Sequence, residues 1–195
     1  MSVAIDVDSF PAKPGLFLSG GRWRILQKLG AGPRSSTWLA VNSEDSNNIA
    51  ALKILTVRAT TTSAELRLLK KIKRAKLYQL PVLRSSFVET SPHGQHLCLL
   101  LDLLGPSVED FREGQPLSVH IVKKIVADVL EALCALHDKG IIHGAVSSDN
   151  LLFAVLQYNL LLLALQLAMM MHHIQSNPLL AGPNPEPVLR MHLFT

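Results

Sequence analysis

Three short stretches near the start of the chain have the composition of β-strands and follow one another closely. They cover residues 22–30, 36–41 and 49–55, and short polar connections separate them. Strands joined by such short connections pair antiparallel, because a parallel pair needs a crossover of about a dozen residues or more. Two further strands are predicted at residues 82–88 and 97–103. The pattern therefore predicts a five-stranded antiparallel sheet.

Two longer helices are predicted alongside the sheet, and Ser107, with Asp110 three residues on, predicts the start of a short third one. The fold class is therefore α+β. Residues 63–76 contain strong helix formers, with Leu66, Leu69 and Ile72 on an inner stripe. Residues 119–137 give the clearer helical pattern, because apolar side chains recur on one face along the whole stretch. That face comprises Ile121, Val122, Ile125, Val126, Val129, Leu130, Leu133 and Leu136.

Length and composition limit the class of protein. The 195 residues allow one domain with tails, and a hydrophobic fraction of 48% with 17% charged residues excludes a disordered or collagen-like chain. Cys98 and Cys134 cannot form a disulfide framework and lack the spacing of a metal site. The acidic start has no basic segment of a secretory signal, so the expected location is the cytoplasm, the nucleus or both.

The distribution of charge separates the last part of the chain from the rest. Residues 151–195 contain only Glu186 and Arg190 as charged residues. Residues 151–171 include 18 hydrophobic residues in 21 and would span about 31 Å as a helix, enough to cross a bilayer. Their flanks lack the Lys and Arg that orient a membrane helix, so we expect this stretch to pack on helix 119–137 instead. Membrane insertion and an artefact of gene prediction are the alternatives.

Two features could hold the phosphates of a nucleotide. Gly30 and Gly32 lie between the first two strands, where glycine lets backbone N–H groups approach phosphate oxygens, although an ordinary β-turn would also use them. Lys53 lies in an apolar strand 21 residues after Gly32, where an ammonium group needs a partner. Glu65, on the inner border of the next helix, is the natural partner; a surface lysine is the alternative.

A third feature, HGAVSSDN at residues 143–150, follows the long helix and has the length and framing of the kinase catalytic loop. With the glycine loop, Lys53 and Glu65 in the same order, residues 22–153 resemble the first half of a eukaryotic protein kinase. RWRILQKLGAG, LCLLLDLLGPSVEDF and LSVHIVKKIVADVLEALCALHDKGIIH resemble more closely the kinases specific for serine/arginine-rich proteins, especially fungal ones. The chain is thereby expected to have a protein-kinase-like fold.

Composition and the resemblance together predict a division into segments, and the resemblance implies a set of site residues. The segments are a flexible N-terminal stretch (1–20), an N-lobe (21–104), a partial, mainly helical C-lobe (105–153), a hydrophobic helical tail (154–175) and a Pro-rich unstructured end (176–195). The implied ATP-binding residues are Gly30, Gly32, Ala51, Lys53, Glu65, Leu101, Asp102, Leu104 and Leu152. Of these, Ala51 and Leu152 would sandwich the adenine, Leu101 would be the gatekeeper, and Asp102 to Leu104 the hinge. Asn150 would hold one magnesium ion.

Departures from the family pattern bear on activity. The catalytic aspartate falls at Ala145, the loop lysine falls at Ser147, and no aspartate follows Asp149 that could serve as the DFG residue. The sequence therefore predicts a truncated, degenerate kinase homologue, or pseudokinase, that binds ATP, with a weakened magnesium site and without phosphoryl transfer. The alternatives are an active serine/threonine kinase acting on Arg-Ser-rich proteins, and a non-enzymatic scaffold or inert fragment.

The expected partners follow from the resemblance and from one basic segment. Arg-Ser-rich proteins are the partners that the resemblance implies. A run of six basic residues within the first predicted helix could contact RNA or an acidic partner. A solvated helix face is favoured because no aromatic residues interleave for base stacking. No specific nucleic-acid binding is therefore expected. The start of the 143–150 stretch also resembles small-molecule phosphotransferases, which likewise need an aspartate at Ala145.

Overall fold

The computed structural model describes residues 8–77 and 79–154, and the backbone of residues 189–191. It divides into two compact units, one ending at Leu103 and one beginning at Leu104. Each unit has its own sheet.

The first unit is built on an antiparallel sheet of six strands in the order β1-β2-β3-β4-β6-β5. This confirms the predicted antiparallel sheet and adds a short strand at its edge. The strands are β1 (Phe17–Leu18), β2 (Trp23–Gly32), β3 (Ser35–Asn42), β4 (Ile49–Leu55), β5 (Leu83–Ser91) and β6 (Gly94–Leu101).

The N-terminal segment differs from the flexible stretch predicted over residues 1–20. Strand β1 lies within it, and the Phe10 ring packs edge-on against the buried His96 ring at a centroid distance of 5.2 Å. The Asp8 carboxylate accepts a hydrogen bond from the Arg58 backbone N–H. The proline and glycine content predicted flexibility, whereas the few apolar side chains of residues 8–20 bury enough surface to hold the segment on the sheet.

Strand periodicity gives the two faces of the sheet different roles. Alternate residues of β4 point to opposite sides, so Leu52 and Ile54 join one buried cluster while Lys53 points to the other face. That cluster contains Leu18, Trp23, Ile25, Trp38, Ala40, Ala50, Leu52, Ile54, Cys98 and Leu100. The opposite face is thereby left for Lys53 and the partner that it needs.

Two helices follow β4, where the sequence predicts one. Helix α1 (Val57–Thr62) begins after Thr56, whose hydroxyl accepts a hydrogen bond from the Ala59 N–H at 3.1 Å. Helix α2 (Glu65–Ala75) is shorter than the predicted 63–76 and buries Glu65, Leu69 and Ile72. Two of the three residues of the predicted inner stripe, Leu69 and Ile72, are thus buried, and Leu66 is half-buried.

The second unit combines helices with a small antiparallel sheet of three strands. Its elements are β7 (Leu104–Ser107), α3 (Val108–Arg112), α4 (Val119–His137), a 3₁₀ turn (Ser148–Asn150), β8 (Leu151–Ala154) and β9 (Leu189–Met191). The Ser107 hydroxyl accepts from the Asp110 N–H while the Asp110 carboxylate accepts from the Ser107 N–H, which forms a capping box at the start of α3.

Two predicted segments at the end of the chain differ from the structure or lie outside it. Residues 189–191 form a strand that pairs with β8, so the prediction of an unstructured end over 176–195 is wrong there. Pairing with an exposed strand edge supplies order that composition does not reveal. Ala154 ends β8, and the rest of the predicted helical tail, residues 155–175, lies outside the described residues. Among the described helices, none is both long enough and apolar enough to cross a membrane.

Candidate functional site

A buried ion pair lies at the centre of the first unit. The Lys53 Nζ lies 2.7 Å from the Glu65 Oε1, and the two side chains are only 5% and 8% exposed. Strand β4 supplies the lysine from its middle, and helix α2 supplies the glutamate from its first residue. Burial strengthens the attraction between the charges, but the cost of desolvation offsets much of that gain. The structure thus brings together the two residues that the sequence pairs.

A cavity of about 220 Å³ lies beside this ion pair. We call it the Lys53 cavity. Its lining consists of Arg34, Ser35, Lys53, Leu55, Ala59, Thr62, Ser63, Ala64, Glu65 and Leu68. Three of these residues are charged, and the Ser35 and Ser63 hydroxyls add donors that can bind an anion.

The glycine loop forms the turn of the β2–β3 hairpin. Gly30 pairs with Thr37 and Gly32 pairs with Ser35. Neither glycine has a positive φ, and a Cβ atom built on either would meet nothing within 4 Å. The backbone there does not require glycine for its conformation. Both glycines are exposed, and their missing side chains leave space in which a ligand can approach the backbone.

Arg34 is the site residue that the sequence analysis missed. It lies in the turn between the paired residues Gly32 and Ser35, and its exposed side chain lines the Lys53 cavity. An Arg34 Nη2 donates to the Thr62 Oγ1 at a long 3.4 Å. Its position two residues after Gly32, in the same turn, was the available signal, but the glycine pattern itself assigns no role to the residues that follow it.

The residues predicted to contact adenine are divided between the two units. Ala51 is buried in β4 and pairs with Leu101 on β6, and Asp102 follows Leu101. The Asp102 carboxylate accepts a hydrogen bond from the Arg84 Nε at 2.8 Å. Leu104 and Leu152 belong to the second unit, in β7 and β8.

Residues 143–150, which we call the 143–150 loop, form a hydrogen-bonded turn in the second unit. Gly144 has a φ of +76°, which favours glycine, and the Ala145 N–H donates to the Nδ1 of the buried His143. The buried Asn150 donates from its Nδ2 to the Ala145 carbonyl at 2.9 Å. The loop is therefore held by its backbone and by two buried side chains, and Ala145 contributes only a half-buried methyl group.

A carboxylate on α3 braces the same loop. The Ser148 hydroxyl donates to the Glu109 Oε2 at 2.8 Å, and this hydrogen bond lowers the pKa of Glu109, with a further contribution from Arg112. Asp149 is exposed on the adjacent 3₁₀ turn. Within residues 8–77 and 79–154, no three His, Cys, Asp or Glu side chains gather in a way that could hold a metal ion.

The first unit contains a glycine hairpin and a buried Lys–Glu pair, and the second contains a His-to-Asn loop. These features are typical of a nucleotide-dependent phosphotransferase. A family model described as the protein kinase domain matches residues 23–175. The chain belongs to the protein kinase family.

Curated relatives narrow this assignment. The chain is 33% identical over 142 residues to the serine/threonine-protein kinase SRPK of Physarum polycephalum, a match that covers 67% of this chain and 33% of that protein. It is 31% identical to SRSF protein kinase 3 of Mus musculus, in a match that covers 75% of this chain and 28% of that protein. It is also 31% identical to protein kinase dsk1 of Schizosaccharomyces pombe, in a match that covers 69% of this chain and 27% of that protein. The resemblance to SR-protein kinases is confirmed, and the chain spans about a third or less of these relatives' lengths.

A solved crystal structure of a kinase domain has the same fold. It superposes with a TM-score of 0.63 at 21% sequence identity, covering 75% of this chain and 43% of that one. At this level of identity the likeness concerns the fold alone. The predicted α+β, kinase-like fold class is thereby confirmed.

Proposed function

We propose that this chain is a kinase homologue of the SR-protein-kinase type that binds the phosphates of ATP in the Lys53 cavity but does not transfer a phosphoryl group. The single observation that carries the proposed loss of transfer is the alanine at position 145, inside a loop that hydrogen bonds of His143 and Asn150 hold in a defined turn.

Nucleotide binding is supported by the arrangement of the first unit. The hairpin glycines leave the backbone accessible, and Lys53 is held by Glu65 beside the cavity. In protein kinases the strand lysine contacts the phosphates while its glutamate partner fixes its position. The same parts are present here in the same order along the chain.

Loss of transfer is supported by what Ala145 cannot do. In this family the aspartate at that position accepts the proton of the substrate hydroxyl, and a methyl group has no lone pair to accept it. A positioned acid–base group contributes about 10² to 10⁴ in rate. Because His143 and Asn150 hold the loop in shape, the expected defect arises from the missing carboxylate rather than from a disordered loop.

The magnesium site that the family implies does not fit the residues present. Its two protein ligands would be Asn150 and the DFG aspartate. The Asn150 amide nitrogen donates to the Ala145 carbonyl, which leaves its Oδ1 available as a ligand. The second ligand is what is missing, because residues 151–175, which the family model includes, contain no aspartate. Carboxylate oxygen is the ligand that magnesium binds best in such sites, so we derive no catalytic step through the metal.

The proposed partner class rests on the relatives. Two of them carry the printed names SRPK and SRSF protein kinase 3, and the corresponding proposal is that this chain meets Arg-Ser-rich proteins without modifying them. We propose the cytoplasm or nucleus as its location, in line with the sequence.

The proposal is tested by measuring transfer of the γ-phosphate from ATP to an Arg-Ser-rich peptide, with magnesium and with manganese. The matched control is Lys53→Ala, which removes the residue expected to contact the phosphates. We expect the same background signal from both proteins. Peptide phosphorylation that Lys53→Ala abolishes would overturn the proposed loss of activity and support the active-kinase alternative.

A further inference from the structure

The Lys53 cavity has an unusual balance of charge. Its charged lining residues are Arg34, Lys53 and Glu65, so its formal charge is +1. Lys53 and Glu65 neutralise each other at 2.7 Å. The net positive charge of the cavity therefore comes from Arg34.

Arg34 is placed to use that charge on a ligand. It lies in the turn of the glycine hairpin, its side chain is exposed, and its hydrogen bond to the Thr62 hydroxyl is long at 3.4 Å. Exchanging so weak a contact for a charge-assisted hydrogen bond to phosphate costs little. The guanidinium group also matches the geometry of phosphate oxygens with two parallel N–H donors.

The neighbouring side chains complete an anion subsite, and the carboxylate in its lining is already paired with a lysine. Ser35 and Ser63 line the same cavity and can donate hydroxyl hydrogen bonds, whereas the Thr62 hydroxyl already donates to the Arg58 carbonyl. The one carboxylate of the lining, on Glu65, accepts from Lys53. Such a lining favours a bare polyphosphate over a polyphosphate whose charge a divalent ion has already reduced.

Resting on the proposed function above, we propose that Arg34 takes over the neutralisation of phosphate charge that magnesium supplies in related kinases. The Lys53 cavity then binds ATP without a divalent ion, and magnesium weakens the binding because it competes with Arg34 for the same oxygens. Arg34 acts here as a ligand-binding residue, not a catalytic one.

The test measures the affinity of the full chain for ATP by isothermal titration calorimetry, once in excess EDTA and once in excess magnesium chloride. We expect ATP to bind more tightly in EDTA than in magnesium chloride. Arg34→Gln weakens ATP binding in EDTA about tenfold, and Arg34→Lys retains most of the affinity because the charge remains. Adenosine, which has no phosphate, binds the wild type and Arg34→Gln equally.

A matched control separates Arg34 from net charge. Arg24 is exposed on β2 and does not line the cavity, so Arg24→Gln removes the same charge elsewhere on the first unit. We expect this variant to bind ATP like the wild type. Equal losses in Arg24→Gln and Arg34→Gln would overturn the inference.

The remaining outcomes distinguish the inference from the proposed function. ATP binding that is as tight with magnesium as in EDTA, or tighter, would refute the role of Arg34 but leave nucleotide binding in place. Absence of ATP binding in both solutions would overturn both proposals. Binding in EDTA that Arg34→Gln weakens and Arg24→Gln does not would support both.

Discussion

The Lys53 cavity and the 143–150 loop differ in the functional groups that their side chains provide. The cavity keeps the charged side chains that define a kinase, namely Lys53 and Glu65 at 2.7 Å. The loop is held by hydrogen bonds of His143 and Asn150, and the position that we propose to correspond to the family's catalytic carboxylate has a methyl group. Framework and reactive group are thus specified by different residues, and one can be lost without the other.

Burial explains why the two regions differ. Removing one member of a buried ion pair leaves the other charge in a poorly solvated place, so Lys53 and Glu65 depend on each other for folding. Ala145 is half-buried and its side chain has no polar atom to satisfy, so a change there costs little stability. Each member of the ion pair is therefore needed for stability as long as the other is present, whether or not ATP binds, and ATP binding requires its own test.

The largest expected effect on this comparison comes from Glu65→Ala. Lys53 would lose the carboxylate that it contacts in a buried place, and the free energy of unfolding should fall by about 3–5 kcal/mol in urea denaturation. The matched control is Lys53→Met with Glu65→Leu, which replaces both charges by apolar groups and should be far less destabilising than the single change. A single variant as stable as the wild type would contradict the structural role of the pair.

The next largest expected effect is a difference in thiol reactivity between the two cysteines. Burial raises the pKa of Cys98 to about 12, from an ordinary 9.0, whereas Cys134 is exposed on α4. Alkylation near neutral pH followed by mass spectrometry should label Cys134 in the native protein and Cys98 only after unfolding. Equal labelling of both thiols would show that the core around Cys98 opens.

The raised pKa of Cys98 also makes stability depend on pH. Because it favours the neutral thiol in the folded chain, the contribution of Cys98 to stability is present below pH 9.0 and is lost as the pH rises towards about 12.

A smaller effect is expected in the 143–150 loop. Asn150→Ala removes the hydrogen bond to the Ala145 carbonyl and should cost about 1–2 kcal/mol in the free energy of unfolding. Ala145→Asp, the matched change at the half-buried position, should shift it by less than about 0.5 kcal/mol. The reverse order of the two effects would mean that Ala145, rather than Asn150, maintains the loop.

The smallest effect concerns the brace between α3 and the loop. Ser148→Ala removes the hydrogen bond that lowers the pKa of Glu109, so that pKa should rise towards its ordinary value in an NMR titration. A lowered carboxyl pKa adds stability above the pKa of the unfolded chain, and that stability is lost as the pH falls through the folded pKa. Ser147→Ala, an exposed neighbour, is the control and should leave the titration of Glu109 unchanged. Identical titration curves for the wild type and both variants would show that Ser148 does not lower the pKa of Glu109.

The core strands and the ion pair could be predicted because each follows from a local pattern. A lysine within an apolar strand needs a partner, and the inner border of the next helix supplies one, so Lys53 and Glu65 could be paired from the sequence. The structure confirms both the pairing and the antiparallel sheet.

The features that sequence reasoning missed depend on contacts distant in the chain. Phe10 is held by its packing on His96, and residues 189–191 by pairing with residues 151–153. Proline and glycine content gave the opposite expectation in both places. Arg34 was missed for a related reason, because only the folded hairpin shows that its side chain reaches the cavity of Lys53.

The most direct measurement of the central claim follows ATP that carries one label on the α-phosphate and another on the γ-phosphate, in equilibrium dialysis against the full chain and an Arg-Ser-rich peptide. We predict that ATP is bound with both labels in their starting ratio, and that Lys53→Met abolishes the binding. Appearance of the γ-label on peptide, protein or free phosphate, in the wild type and not in Lys53→Met, would contradict the claim that this kinase homologue holds phosphate without transferring it.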